Sequence, residues 1–207
     1  LLIIFNGICL AEEAQSIDQA ANDPTASLMN IQVSDWSAFN YHHADFTDNT
    51  IVLRSAIPLK IGNQNNSFRI TLPFITDSPR LDSGLSDTTI FNLSTFNRSW
   101  GRFGLGAVAL IPTGGADRGA EQWGLGPAFG FVNSSHKGFL FGLFNQNLFS
   151  VAGDQSRPDV NVSIFQPIVN KSLGKGWSLG ASEMSVTYDW ENSQWVNLPL
   201  GLSLAKI

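Results

Sequence analysis

Chemistry needs polar groups that converge, and few candidates for that stand out in this chain. His42 and His43 lie in "FNYHHADFTD" beside Asp45 and Asp48, residue types suited to a divalent metal. Neighbours on an extended chain point to opposite sides, however, so the two imidazoles do not meet on one ion and no metal site is predicted. His136 sits in "SSHK" and reads as a solvated turn residue. Nucleophilic catalysis needs a Ser or Cys within reach of an oriented His; serines are plentiful, but no His falls within a segment patterned as a strand. "PTGGADRG" (112–119) is Gly-rich, yet it lacks GxxxxGK[ST] spacing and no helical pattern follows it, so it does not read as a phosphate cradle. The sequence therefore predicts no catalytic residues and no cofactor. One small ionic group remains: Asp154, Arg157 and Asp159 in "AGDQSRPD", spaced to form a network that shapes a loop.

Composition narrows the setting. Only 14% of the 207 residues are charged, while 15 Phe, 6 Trp and 19 Gly are present; soluble domains average about 25% charged. A net charge of -5 gives no basic stripe for nucleic acid. The single cysteine, Cys9, lies in "LLIIFNGICLAEEAQS", an apolar run ending in small residues before Glu12 and Glu13. That pattern predicts the end of a secretory signal peptide over 1–11; the run is too short for a spanning helix.

The elements that would position any site are strands. From about residue 26 the apolar pattern has a period of two. Phe68, Ile70, Leu72 and Phe74 alternate with Arg69, Thr71 and Pro73; Ile51, Leu53, Ile57, Leu59 and Ile61 stand against Arg54, Pro58 and Lys60; Phe103, Leu105, Ala107, Ala109 and Ile111 stand against Arg102, Gly104 and Gly106. Ten such segments are predicted, near 26–36, 48–61, 67–76, 86–97, 100–112, 122–133, 138–150, 159–172, 176–190 and 194–206. Many reach the roughly 9–11 residues that cross a bilayer at a tilt. In-strand prolines (Pro58, Pro73, Pro167, Pro199) predict bulges or missing ladder bonds. Short turns alternate with longer acidic, Gly-rich loops (37–47, 77–86, 113–122, 152–159), and tryptophans fall near the strand ends, the organisation of an outer-membrane barrel.

The predicted fold is therefore all-β, an antiparallel up-and-down transmembrane β-barrel, with about ten strands present. A closed sheet is what lipid demands, because unpaired backbone groups there cost several kcal/mol. In "DVNVSIFQPIV" the same reasoning turns Val160, Val162 and Ile164 toward lipid and Asn161 and Ser163 inward. The predicted lumen lining is Arg54, Lys60, Arg69, Arg102, Asn161, Ser163, Glu183 and Asp189, with Asn92 and Thr187 beside them, since charge at the lipid midplane is costly. A one-residue slip reverses such assignments. Two other readings fit the same pattern: a barrel with a filled lumen that acts through its outer loops, and a soluble sandwich that binds a ligand.

Several stretches carry a resemblance. "NDPTASL", "SGLSDTTIFNL", "GLGAVALIPT", "QWGLGPAFGFV", "NQNLFSVAGDQSRPDVNVSIFQPIVN" and "TYDWENSQWVNLPLGLSLAKI" resemble a family of bacterial outer-membrane β-barrels labelled transporters or grouped with meta-pathway phenol-degradation barrel proteins. The most specific match is Gly153, Asp154, Arg157, Pro158, Asp159, Asn161, Gln166 and Pro167. The resemblance implies a Gram-negative outer membrane, lipid as the immediate partner, and small, hydrophobic molecules bound or passed. It also implies about twelve strands in the parent, with two following the present end. The predicted organisation is a truncated signal peptide at 1–11, a periplasmic lead at 12–25 and the barrel from 26 to 207.

Overall fold

The computed structural model describes residues 19–20, 23–41, 44–175, 177–181, 184–197 and 201–206. The signal-peptide prediction and His42, His43 and Glu183 lie outside them. The described chain is an antiparallel sheet: β1 (Asn30–Tyr41), β2 (Ala44–Ile61), β3 (Gln64–Asp77), a two-residue β4 (Gly84–Leu85), β5 (Thr88–Arg98), β6 (Gly101–Ile111), β7 (Gln122–Asn133), β8 (Phe139–Gly153), β9 (Asn161–Gly174), β10 (Trp177–Ala181), β11 (Val186–Asp189), β12 (Gln194–Asn197) and β13 (Leu202–Lys206). The order is β1-β2-β3-β5-β6-β7-β8-β9-β10-β13, with β11 on β9 and β12 on β11. The sheet curls into a half-barrel.

Eight of the ten predicted segments correspond to single strands, while 176–190 divides into β10 and β11 and 194–206 into β12 and β13. The predicted loop over 37–47 is mostly ladder, in which Phe39 pairs with Thr47 and Tyr41 with Ala44. Phe39, Tyr41, Phe46 and Thr47 are strand formers, and they carry the β1–β2 hairpin onward. Trp36 consequently lies inside a strand. Pro58 and Pro73 sit in unbroken register opposite Ser67 and Val52, so no bulge forms there. Beside Pro167 the outcome differs: β10 pairs with β9 only as far as Asn170, and β11 resumes at Phe165. A residue without an N–H cannot extend that ladder.

The core lies on the concave face. Phe91, Leu93, Val108, Ala128, Val132, Leu140, Phe144, Leu148 and Ile168 form one buried cluster. Phe144 and Leu93 are among the largest fully buried side chains, and burial of each contributes roughly 1.5–3 kcal/mol. Phe91 and Phe144 meet at 4.8 Å between ring centroids, tilted by 55°. Glycines make the room for this packing: a Cβ on Gly104 would stand 3.2 Å from Leu93 Cβ, and one on Gly130 would stand 3.1 Å from Phe144 Cδ2. The convex face is also largely apolar, with Leu53, Leu59, Phe74, Leu105, Leu125, Phe129 and Phe149 all exposed.

Candidate functional site

The concave face is not left to the sheet alone. Residues 23–28 cross it as a strap, with Asp23, Thr25, Ala26 and Leu28 all buried. "DPT" (23–25) folds as Asp-Pro sequences do, the aspartate turning the chain through its own side chain. Thr25 donates from its backbone N–H (2.7 Å) and from its hydroxyl (2.6 Å) to Asp23 Oδ1, and the Ala26 N–H donates to the Asp23 carbonyl at 3.1 Å. Arg102, the second residue of β6, holds this turn. One Nη lies 3.4 Å from Asp23 Oδ2 and donates to the Thr25 carbonyl at 2.9 Å, while Nε donates to Asn97 Oδ1 at 3.1 Å. The two side chains of the ion pair are 12% and 1% exposed. Beside the pair, the Thr25 methyl lies against the space left by Gly104 and Gly130.

The register assigns each predicted lining residue to a face. Gln32 pairs with Arg54 and Ala56 with Arg69, so Arg54, Lys60 and Arg69 lie in the concave rows with Arg102. Arg54 donates to Gln32 Oε1 at 3.4 Å and stands 5.9 Å from the Trp36 ring. Arg69 is buried, with its guanidinium 5.2 Å from the Phe91 ring. Asp189 pairs with Val162 in the concave row, but its carboxylate is spent on a turn, accepting from the Asn192 N–H (3.1 Å) and side-chain amide (2.8 Å).

Asn161 and Ser163 are on the opposite face from the one predicted. They pair with Phe149 and Asn147 in the convex rows, while Val160, Val162 and Ile164 pack against the concave core. The concave side here is apolar and so claims the β-branched residues, the reversal that follows when both faces of a sheet are apolar and alternation alone sets the sign. Asn92 is likewise convex, between Phe68 and Ala107.

The convex polar residues satisfy one another. The Trp190 indole N–H donates to Ser163 Oγ (2.8 Å), Ser163 donates to Asn147 Oδ1 (2.6 Å), Asn147 donates to Asn145 Oδ1 (2.6 Å), and Asn145 donates to the Ile164 carbonyl (3.1 Å). Tyr188 and Trp195 pack edge-on nearby, at 5.0 Å between centroids. The signal for this chain was the polar pair Asn145 and Asn147 at a spacing of two, in phase with Ser163 across the ladder.

Three long loops are bound into one cap. Asp87 accepts from the backbone N–H groups of Gly114 (3.0 Å) and Ala120 (2.7 Å). Arg157 donates to the carbonyls of Ala116 (2.7 Å) and Gly119 (2.9 Å) and forms an ion pair with Glu121 at 3.2 Å. Of the predicted Asp154, Arg157 and Asp159 group, Arg157 bridges to the neighbouring loop. Asp154 instead turns its own loop, accepting from the Ser156 N–H (2.8 Å) and hydroxyl (2.7 Å). The Ser156 N–H, then its hydroxyl, hold the Asp154 carboxyl below the usual carboxylate range against a smaller desolvation effect, with the Arg157 charge assisting. Asp159 is exposed and stands outside the cap's hydrogen bonds. Asp87 and Glu121, which organise the cap, were not predicted from sequence; acidic loop residues look solvated until a neighbouring loop supplies their donors.

Among the described residues no group of three or more His, Cys, Asp or Glu side chains is placed to hold a metal, and no helix is long and apolar enough to cross a membrane, which says nothing of strands. Comparison with protein-family models, with curated proteins and with solved structures finds no match to this chain.

Proposed function

We propose that this chain forms the wall of a bacterial outer-membrane β-barrel that binds or passes small, largely apolar molecules, its interior narrowed by residues 23–28. The observation that carries the reading is that the central strands carry large apolar side chains on both faces. Leu105, Leu125 and Phe129 stand exposed on the convex side while Leu93, Val108 and Phe144 are buried on the concave side. A sheet with one face in water alternates apolar and polar residues, whereas a wall in lipid needs an apolar outer band. From β5 to β8 the convex rows among the described residues carry no charge except Arg98 at a strand end. A wide aqueous pore has a polar lumen; over β5 to β9 the concave side is largely apolar, with Arg102 paired to Asp23, and suits molecules with a large apolar part, while Arg54 and Arg69 line the part over β2 and β3.

The bound cap of loops supports a second reading, a permanently filled barrel that acts through its outer surface. Planar-bilayer recording of the refolded chain separates the readings. Under the first, the protein inserts with small, rare conductance steps, and deleting residues 19–28 enlarges them. Under the second it inserts and stays closed after the deletion. Large, steady steps from the intact chain would overturn an apolar path, and failure to insert would overturn the membrane assignment.

A further inference from the structure

We propose that Arg102 and its surroundings form a binding site for a small organic carboxylate with an apolar group, and that Asp23 and Thr25 occupy it as a built-in stand-in for that ligand. The proposal rests on reading residues 23–28 as a strap over the interior, and it adds the chemical class of molecule that displaces it.

The Arg102 side chain is 12% exposed and the Asp23 side chain 1%. Removing one partner of a buried ion pair leaves the other uncompensated, which is far less favourable than keeping the pair. A neutral apolar molecule that pushed the strap aside would leave the guanidinium in that state. A molecule bringing its own carboxylate could take the places of both Asp23 Oδ2 and the Thr25 carbonyl at Arg102, whose planar fork suits carboxylates.

Shape gives the second half. Next to the carboxylate, the Thr25 methyl fills a hollow floored by Gly104 and Gly130 and walled by Leu93 and Phe144. Side chains at either glycine would close it, since the added Cβ would meet Leu93 or Phe144 within 3.2 Å. The strap thus places an anion and a small apolar group side by side, against a cation and an apolar hollow on the sheet. A short fatty acid or an aromatic acid has the same two parts. Within the strap, the Thr25 hydroxyl and N–H bind Asp23 Oδ1, so the turn holds its shape as a unit and leaves as one.

The test uses benzoate as probe and benzyl alcohol as its neutral counterpart, with the refolded full chain and calorimetric titration. Asp23→Asn keeps the acceptor for Thr25 but removes the competing charge, so benzoate should bind about tenfold more tightly than to the wild type, in the range of ordinary site-to-site coupling. Arg102→Gln should abolish that binding in both backgrounds, Arg102→Lys should restore part of it, and benzyl alcohol, which makes no ion pair, should lose no affinity in any of the three variants. Saturating benzoate should also speed hydrogen exchange at the Thr25 amide. Equal benzoate affinity in wild type and Arg102→Gln, or no tightening in Asp23→Asn when its circular dichroism matches wild type, would overturn the proposal. Liposome flotation of the same samples keeps the two readings apart: binding without flotation sinks the membrane reading and leaves the site, and flotation without binding does the reverse.

Discussion

Replacing Phe129 with arginine distinguishes a wall in lipid from a sheet in water. Phe129 lies on the convex face of β7, 41% exposed, paired with Leu105 and Asn145. It is four residues from Asn133, where β7 ends. At a rise of about 3.4 Å per residue and a tilt of about 45°, it sits about 10 Å inside a span of about 29 Å, within about 5 Å of the middle. An arginine near the midplane of a lipid-facing strand destabilises by about 2–4 kcal/mol, and loss of the aromatic ring from an apolar surrounding adds to that. On a water-facing sheet the same exchange falls within about 0.5 kcal/mol. The assay is reversible denaturant unfolding in liposomes, followed by tryptophan fluorescence, with Asp159→Asn as an exposed loop control. A loss of at least about 2 kcal/mol is expected for Phe129→Arg and none for the control. A change under about 0.5 kcal/mol with unaltered slope would refute the lipid-facing assignment and favour a convex face in water.

Three further outcomes follow from the same geometry. Phe144→Ala removes a fully buried ring and its contact with Phe91, and should cost about 3–5 kcal/mol in equilibrium unfolding; a cost below about 1 kcal/mol would mean that the concave cluster is not packed as described. Arg157→Ala removes two carbonyl contacts and a half-exposed ion pair with Glu121. It should lower protection of the 113–121 amides against hydrogen exchange by about 1–2 kcal/mol of local stability while leaving β7 unchanged, and Arg157→Lys should recover little of it. Because the Asp154 carboxyl is held below the ordinary range by Ser156, its contribution is complete above the unfolded pKa and is lost as pH falls through the lowered one. The Ser156 amide resonance should therefore shift only below the usual aspartate range, and Asp154→Asn should abolish that step.

The period-two pattern was enough to locate the long strands, because they repeat the signal many times, but not to divide 176–190 and 194–206, each of which forms two short strands. Ile51 through Ile61 and Phe103 through Ile111 lie on the face their alternation suggests. In β9 the same logic placed Asn161 and Ser163 on the wrong side. Val162 and Ile164 are apolar for the sake of a dry interior, and periodicity carries no information about which apolar side is inner. The strap was equally hidden: Asp23 and Thr25 are 79 and 77 residues from Arg102, and nothing local in "NDPT" announces a partner so far along the chain. Arg157 was legible as part of an ordered loop, but its grip on Ala116 and Gly119 depends on how two hairpins pack at the rim.

That distance also fixes an order of events. Most strands pair with their immediate neighbour in sequence, so the sheet can grow hairpin by hairpin, closing only short loops at each step. Docking of the strap closes one of nearly eighty residues, and it has no surface to dock on until β5, β6, β7 and β8 are side by side. Loop-closure entropy and the need for a preformed floor both defer it. The sheet from β5 to β8 therefore exists first with this face uncovered, and the strap covers it only afterwards.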